Sequence, residues 1–145
     1  MKKIILFSLF LFIASCIFAQ TNSAGVASWN PIGLDVAGHN TIKGIEAFYQ
    51  LNNCKGENVV FVQLINHNNY AVTVEWYPAV FTKELKWIKK ENPSDKISVT
   101  LNANAELAGD CSGAYQATAL HLKDFSVNAA DFNRYGVSNF VIYPK

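Results

Sequence analysis

The sequence has no surplus of either charge sign. Its 145 residues carry twelve Lys and Arg against eleven Asp and Glu. Removing Lys2 and Lys3, which belong to the leader described below, leaves ten basic residues against the same eleven acids. A nucleic-acid groove or a polybasic membrane patch needs a clustered excess of cations to release counterions, so neither partner is expected. Also missing are an HExxH zinc sequence, a phosphate-binding Walker loop and a nucleophile elbow around Ser112 or Ser126. Histidine is scarce: His39, His67 and His121 fall in an arm, a turn and a strand. None has an acid or a second histidine at the spacing of a ligand pair, so each reads as a surface or structural residue. Asn102, Asn104, Glu106 and Asp110 supply oxygens, but their spacing departs from the calcium loop and reads as turn chemistry. No metal and no other cofactor is expected.

Long apolar runs are absent except at the start. Lys2 and Lys3 lead into an apolar run over residues 4–18, which exits through Ala19 and Gln20. This is the order of a secretory signal peptide. At about fifteen residues, interrupted by Ser8, Ser15 and Cys16, the run is short of the roughly twenty that span a bilayer. Residues 1–19 are therefore predicted to be a cleaved leader, and the chain to be exported. Its Ile-Phe-Ala-Gln ending looks like signal peptides of Gram-negative bacteria, which places the product in the periplasm, at the outer membrane or outside the cell. Two cleavage sites compete. Cutting after Ala19 releases a free chain; alternatively Ile13, Ala14, Ser15 and Cys16 resemble a lipobox, and Cys16 would be lipidated and tether the protein to a membrane.

Cysteine is also sparse, with three in all. Cys16 belongs to the leader or the anchor on either reading, which leaves Cys54 and Cys111 as an even pair in an oxidising compartment. A disulfide between them is expected. The alternatives are two buried thiols or a metal site, although no His or third Cys lies at ligand spacing. A bridge closing so long a loop stabilises by about 4 kcal/mol in the chain-entropy model.

Residues 20–43 carry Gly25, Pro31, Gly33 and Gly38 without either structural period and read as a flexible or loosely packed N-terminal arm. Trp29, Ile32 and Leu34 are more apolar than a linker needs, which leaves open whether the arm lies on the domain. The domain itself is predicted over residues 44–145. Residues 45–51 alternate in the period of a half-buried strand, residues 52–58 form a turn, and residues 59–65 resume as a second strand. The turn at residues 66–69 leads to a third strand over 71–81, with Pro78 expected at an edge, an end or a bulge. Residues 82–91 fit a short amphipathic helix or a strand equally well. Further strands are predicted over 97–101, 105–111, 115–122 and 139–143, with one helical turn capped by Asn128. About seven short strands punctuated by turns predict an all-β fold, a two-sheet antiparallel sandwich, with a small barrel as the alternative.

Trp76 in the third strand resembles the core tryptophan of immunoglobulin-like domains. Cys54 precedes the second strand, so that likeness extends to architecture and not to membership. Over residues 44–112 the Ile-Glu-Ala-Phe-Tyr-Gln-Leu strand, the Cys-Lys-Gly-Glu-Asn hairpin, the Val-Thr-Val-Glu-Trp strand and the Ala-Gly-Asp-Cys close look like the small exported β-sandwich proteins of unknown function of Gram-negative bacteria. The resemblance implies export and architecture; it carries no activity and no site.

Aromatics are the strongest functional lead. Trp76, Tyr77, Phe81 and Trp87 lie close together in sequence, and adjacent strand residues face opposite sides. One of Trp76 and Tyr77 therefore points outward. Tyr70, Tyr77 and Trp87 are the candidate contacts to a protein or glycan partner. The plainer reading has these rings covering the core beneath a loop, with Lys83, Lys86, Lys89 and Lys90 as a solvating fringe. The expected function is that of a non-enzymatic envelope or extracellular module, binding a macromolecule through a sheet face, an edge or loops. The alternatives are a carbohydrate-binding module or a small secreted hydrolase or inhibitor. Glu75, Glu84, Glu106, Asp110 and Asp124 are the carboxylates a hydrolase would draw on.

Overall fold

The computed structural model describes residues 28–113 and 116–145. The leader, Cys16 and both cleavage sites lie outside the described residues. The chain opens with β1 (Asn30–Pro31), β2 (Thr41–Ile42), β3 (Ile45–Cys54) and β4 (Glu57–Asn66), all in one sheet. It crosses to a second sheet for β5 (Val72–Thr82), β6 (Trp87–Lys89) and β7 (Ile97–Leu101). It then returns with β8 (Glu106–Ala108) and β9 (Ala119–His121) to the first sheet, and ends in β10 (Phe132–Pro144) on the second. All pairings are antiparallel. The fold is an all-β, two-sheet sandwich.

Two long strands form the centre of the first sheet. β3 and β4 pair without a break from Ile45 opposite Asn66 to Cys54 opposite Glu57. The predicted turn at residues 52–58 contracts to Lys55 and Gly56, whose φ angles of 54° and 91° match the right-handed twist of a tight hairpin. The Gly56 N–H donates to Asn53 Oδ1 at 2.9 Å, so the Asn residues extend the strand and brace the turn. β1 and β2 pair with the outer side of β3, and β8 and β9 with the outer side of β4.

β5 is the spine of the second sheet, with β10 on one side and β6 and β7 sharing the other. Pro78 sits in this central strand and not at an edge. It occupies the gap where β7 has ended at Ile97, opposite Trp76, and β6 has yet to begin at Lys89, opposite Ala79. Its carbonyl accepts the Lys90 N–H at 3.0 Å, and the N–H it lacks would have faced the gap. The ambiguous residues 82–91 resolve into a turn, with Leu85 at φ 62°, followed by β6. The strand expected over 115–122 is reduced to β9 between short 3-10 turns, with Tyr115 outside the described residues. The Asn128 turn forms, its Oδ1 accepting the Asp131 N–H. The last strand starts earlier than predicted, at Phe132, and absorbs its irregular residues in bulges between Phe132 and Arg134 and between Ser138 and Val141.

The inward sides of both sheets meet in one core. Ile45, Ala47 and Tyr49 of β3 and Val60, Val62 and Leu64 of β4 face Val72, Val74, Trp76 and Val80 of β5. Trp76 is 1% exposed, and its indole N–H donates to the Tyr135 hydroxyl at 2.9 Å. Burial pushes the Tyr135 phenol well above its ordinary range, so it stays protonated. Where residues 20–43 are described, they form part of the sandwich: Ile32 and Leu34 are buried in the core, and the Ile32 N–H donates to Ala47 O. Cys54 and Cys111 are bonded. Cys54 ends β3 and Cys111 follows β8, both on the first sheet, so the bridge ties the β3–β4 hairpin to the segment after β8 and does not join the two sheets.

Candidate functional site

Because Trp76 points into the core, β5 directs Thr73, Glu75, Tyr77, Ala79 and Phe81 to the opposite face, where Ala79 is covered. The register then sets their neighbours on that face. Tyr143 lies opposite Thr73, Val141 opposite Glu75, Ser138 opposite Tyr77, Gly136 opposite Ala79 and Arg134 opposite Phe81. On the other flank Trp87 lies opposite Phe81 and Ser98 opposite Glu75. Tyr77, Phe81, Trp87, Val141 and Tyr143 therefore share one sheet surface. Trp87 is 43% exposed and Tyr143 48%.

At one end of this face the side chains are layered. The Phe81 and Trp87 rings pack at 4.9 Å between centroids, and the Arg134 guanidinium lies 4.8 Å from the Phe81 ring and 5.3 Å from that of Trp87. These distances place the cation on the negative faces of two rings. Trp87 reaches from β6 across β5 as far as β10, where a Cβ on Gly136 would fall 2.6 Å from the indole Cη2. The absence of a side chain at Gly136 is what lets the indole lie across the sheet. Beside this layer runs a cleft of about 620 Å³ between residues 31–38 and residues 134–137, with Trp87 and Arg134 on its surface.

The other end of the face is polar. Lys96 Nζ lies 3.0 Å from Glu75 Oε2, and the Ser98 hydroxyl donates to Glu75 Oε1. The hydrogen bond and charge of Glu75 hold the Lys96 ammonium above its ordinary range, with Tyr77 and Tyr143 close enough to contribute.

Of the three candidate contacts, Tyr77 and Trp87 are brought to one face. Tyr70 is exposed in the turn before β5 and does not belong to it. Arg134, Gly136, Val141 and Tyr143 complete the face and were not anticipated. Their signal lay only in the pairing of β10 with β5.

The remaining polar candidates sit elsewhere. Each histidine has a carboxylate beside it: His39 with Asp35 at 2.7 Å, His67 with Glu46 at 3.0 Å and His121 with Glu57 at 2.7 Å. The last two pairs join residues far apart in sequence, which local spacing could not reveal. Among the acids considered for a hydrolase, Glu75 pairs with Lys96, Glu84 with Lys86, and Glu106 accepts from Gln63. A second cleft of about 440 Å³ over the disulfide is lined by Asp110, His121 and Asp124. The Ser112 hydroxyl and backbone N–H hold the Asp110 carboxyl below its ordinary range, which suits an acceptor and not a proton donor. Among the described residues no cluster of three or more His, Cys, Asp or Glu is arranged to hold a metal ion.

Fold and face together define a two-sheet antiparallel β-sandwich with an aromatic outer surface on its second sheet. Comparison with protein-family models, with curated proteins and with solved structures found no match.

Proposed function

We propose that the chain is a non-enzymatic exported module that holds a macromolecular partner of the cell envelope or exterior on the outer face of its second sheet. The observation that carries this reading is the makeup of that face. The solvent side of an antiparallel sheet is ordinarily polar, yet outward positions here hold Tyr77, Phe81, Trp87, Val141 and Tyr143. Aromatic residues and arginine are the side chains most enriched at the energetic centres of interfaces, and the Glu75–Lys96 pair supplies a polar margin. Export rests on the leader at residues 1–19, and a lipid on Cys16 would tether the module to a membrane.

The test is crosslinking and co-purification from the envelope of the producing cell, comparing the wild type with a Tyr77→Ser, Trp87→Ser, Tyr143→Ser variant. The expected result is a reproducible partner that the variant loses while its melting temperature stays within a few degrees of the wild type. A partner retained by the variant would overturn the reading.

A further inference from the structure

Arg134 is the only arginine in the chain. Four lysines, Lys86, Lys89, Lys96 and Lys123, have a carboxylate within ion-pair distance. Arg134, like the remaining described lysines, has none among the described residues, although its planar fork is the side chain best shaped to grip one. Phe81 and Trp87 hold the guanidinium over their rings at the edge of the cleft of about 620 Å³, a size within the range of small-ligand sites. A cation already positioned in this way loses little side-chain freedom on binding.

The opposite wall is equally well positioned. Asp35 Oδ1 accepts the N–H groups of Ala37 and His39 at 2.9 and 3.0 Å, and its Oδ2 lies 2.7 Å from His39 Nδ1. The Leu34 N–H donates to His39 O at 2.7 Å, which closes the loop. Both oxygens of the one carboxylate lining the cleft are thus engaged within their own loop, and the guanidinium is left as the charge facing a ligand.

We propose that this cleft is a saccharide subsite for a uronic acid residue, in which Trp87 stacks the C–H face of the pyranose ring and Arg134 grips its carboxylate. The inference rests on the binding face proposed above and names its ligand class. A flat indole laid across the sheet offers a platform that matches a flat ring, and the electron-rich π face attracts polarised C–H groups. The guanidinium then requires a carboxylate, which a neutral sugar lacks. A peptide added as a strand to β10 fits less well, because the bulge between Ser138 and Val141, with Asn139 at φ 51°, interrupts that edge.

Calorimetric titration of the full exported chain with trigalacturonic acid, and with α-1,4-galactotriose as the neutral counterpart, tests this. Saturable binding of trigalacturonate is expected, with galactotriose weaker by at least about ten-fold. Arg134→Lys keeps the charge but loses the fork, and should weaken trigalacturonate by about ten-fold at an unchanged melting temperature. Trp87→Ala should abolish it. Equal affinity for galactotriose, or an Arg134→Lys variant that binds as well as the wild type, would overturn the proposal. So would absence of trigalacturonate binding up to about 10 mM. If the envelope partner is still lost in the Tyr77, Trp87, Tyr143 variant in that case, the sugar is wrong and the binding face stands. An Arg134-dependent protein partner would have the same meaning.

Discussion

Tyr135 illustrates how much a single side chain contributes here. Its hydroxyl accepts the buried Trp76 indole N–H, so Tyr135→Phe leaves that donor without a partner at the centre of the core. A loss of about 1–3 kcal/mol is expected in urea denaturation, the usual range for a buried polar group deprived of its partner. At the surface, Asp35 and Glu57 respond to pH. Hydrogen bonds from His39 to Asp35 and from Lys123 to Glu57 hold both carboxyls below their ordinary range. The unfolded chain therefore binds more protons than the folded one as pH falls through the usual carboxylate range of about 4. Stability should be complete above about pH 5 and decline on acidification through that range and below it. Melting temperatures across this window should fall less steeply in Glu57→Gln; an equally steep fall would remove Glu57 from the explanation.

At the scale of elements, the disulfide and one close approach carry the clearest consequences. The Cys54–Cys111 bridge closes a separation of 57 residues, so a Cys54→Ala, Cys111→Ala variant should lose about 4 kcal/mol in denaturant unfolding. Gly136→Ala sets a methyl against the tip of Trp87. The ring is the far end of a flexible side chain, so the fold should persist while Trp87 swings into solvent. Stronger iodide quenching of tryptophan fluorescence would report it, and unchanged quenching would contradict the packing. Strands β3, β5 and β7 were legible because their apolar residues alternate, and β4 because residues 59–65 form a nearly continuous β-branched and aromatic run; the outward direction of Tyr77 followed from the inward direction of Trp76. β10 was legible only at its end. Asn133, Gly136 and Asn139 look like turn residues; pairing along β5 recruits Gly136 into the strand and leaves Asn133 and Asn139 in its bulges. The burial of Ile32 and the partners of His67 and His121 likewise depend on contacts between segments far apart in sequence.

At the scale of the molecule, a nearly neutral composition is combined with an aromatic outer face on the second sheet. The edge of β10 that pairs with no described strand is broken by two bulges and ends in Pro144, features that discourage edge-to-edge association. Association is therefore expected on that face and not by strand addition. The most direct measurement places a photo-crosslinking residue at position 77, on the face, or at position 41, on the exposed edge of the first sheet, and follows each in the envelope of the producing cell. A partner crosslinked from position 77 and not from position 41 is the predicted result; crosslinking from position 41 alone would contradict it.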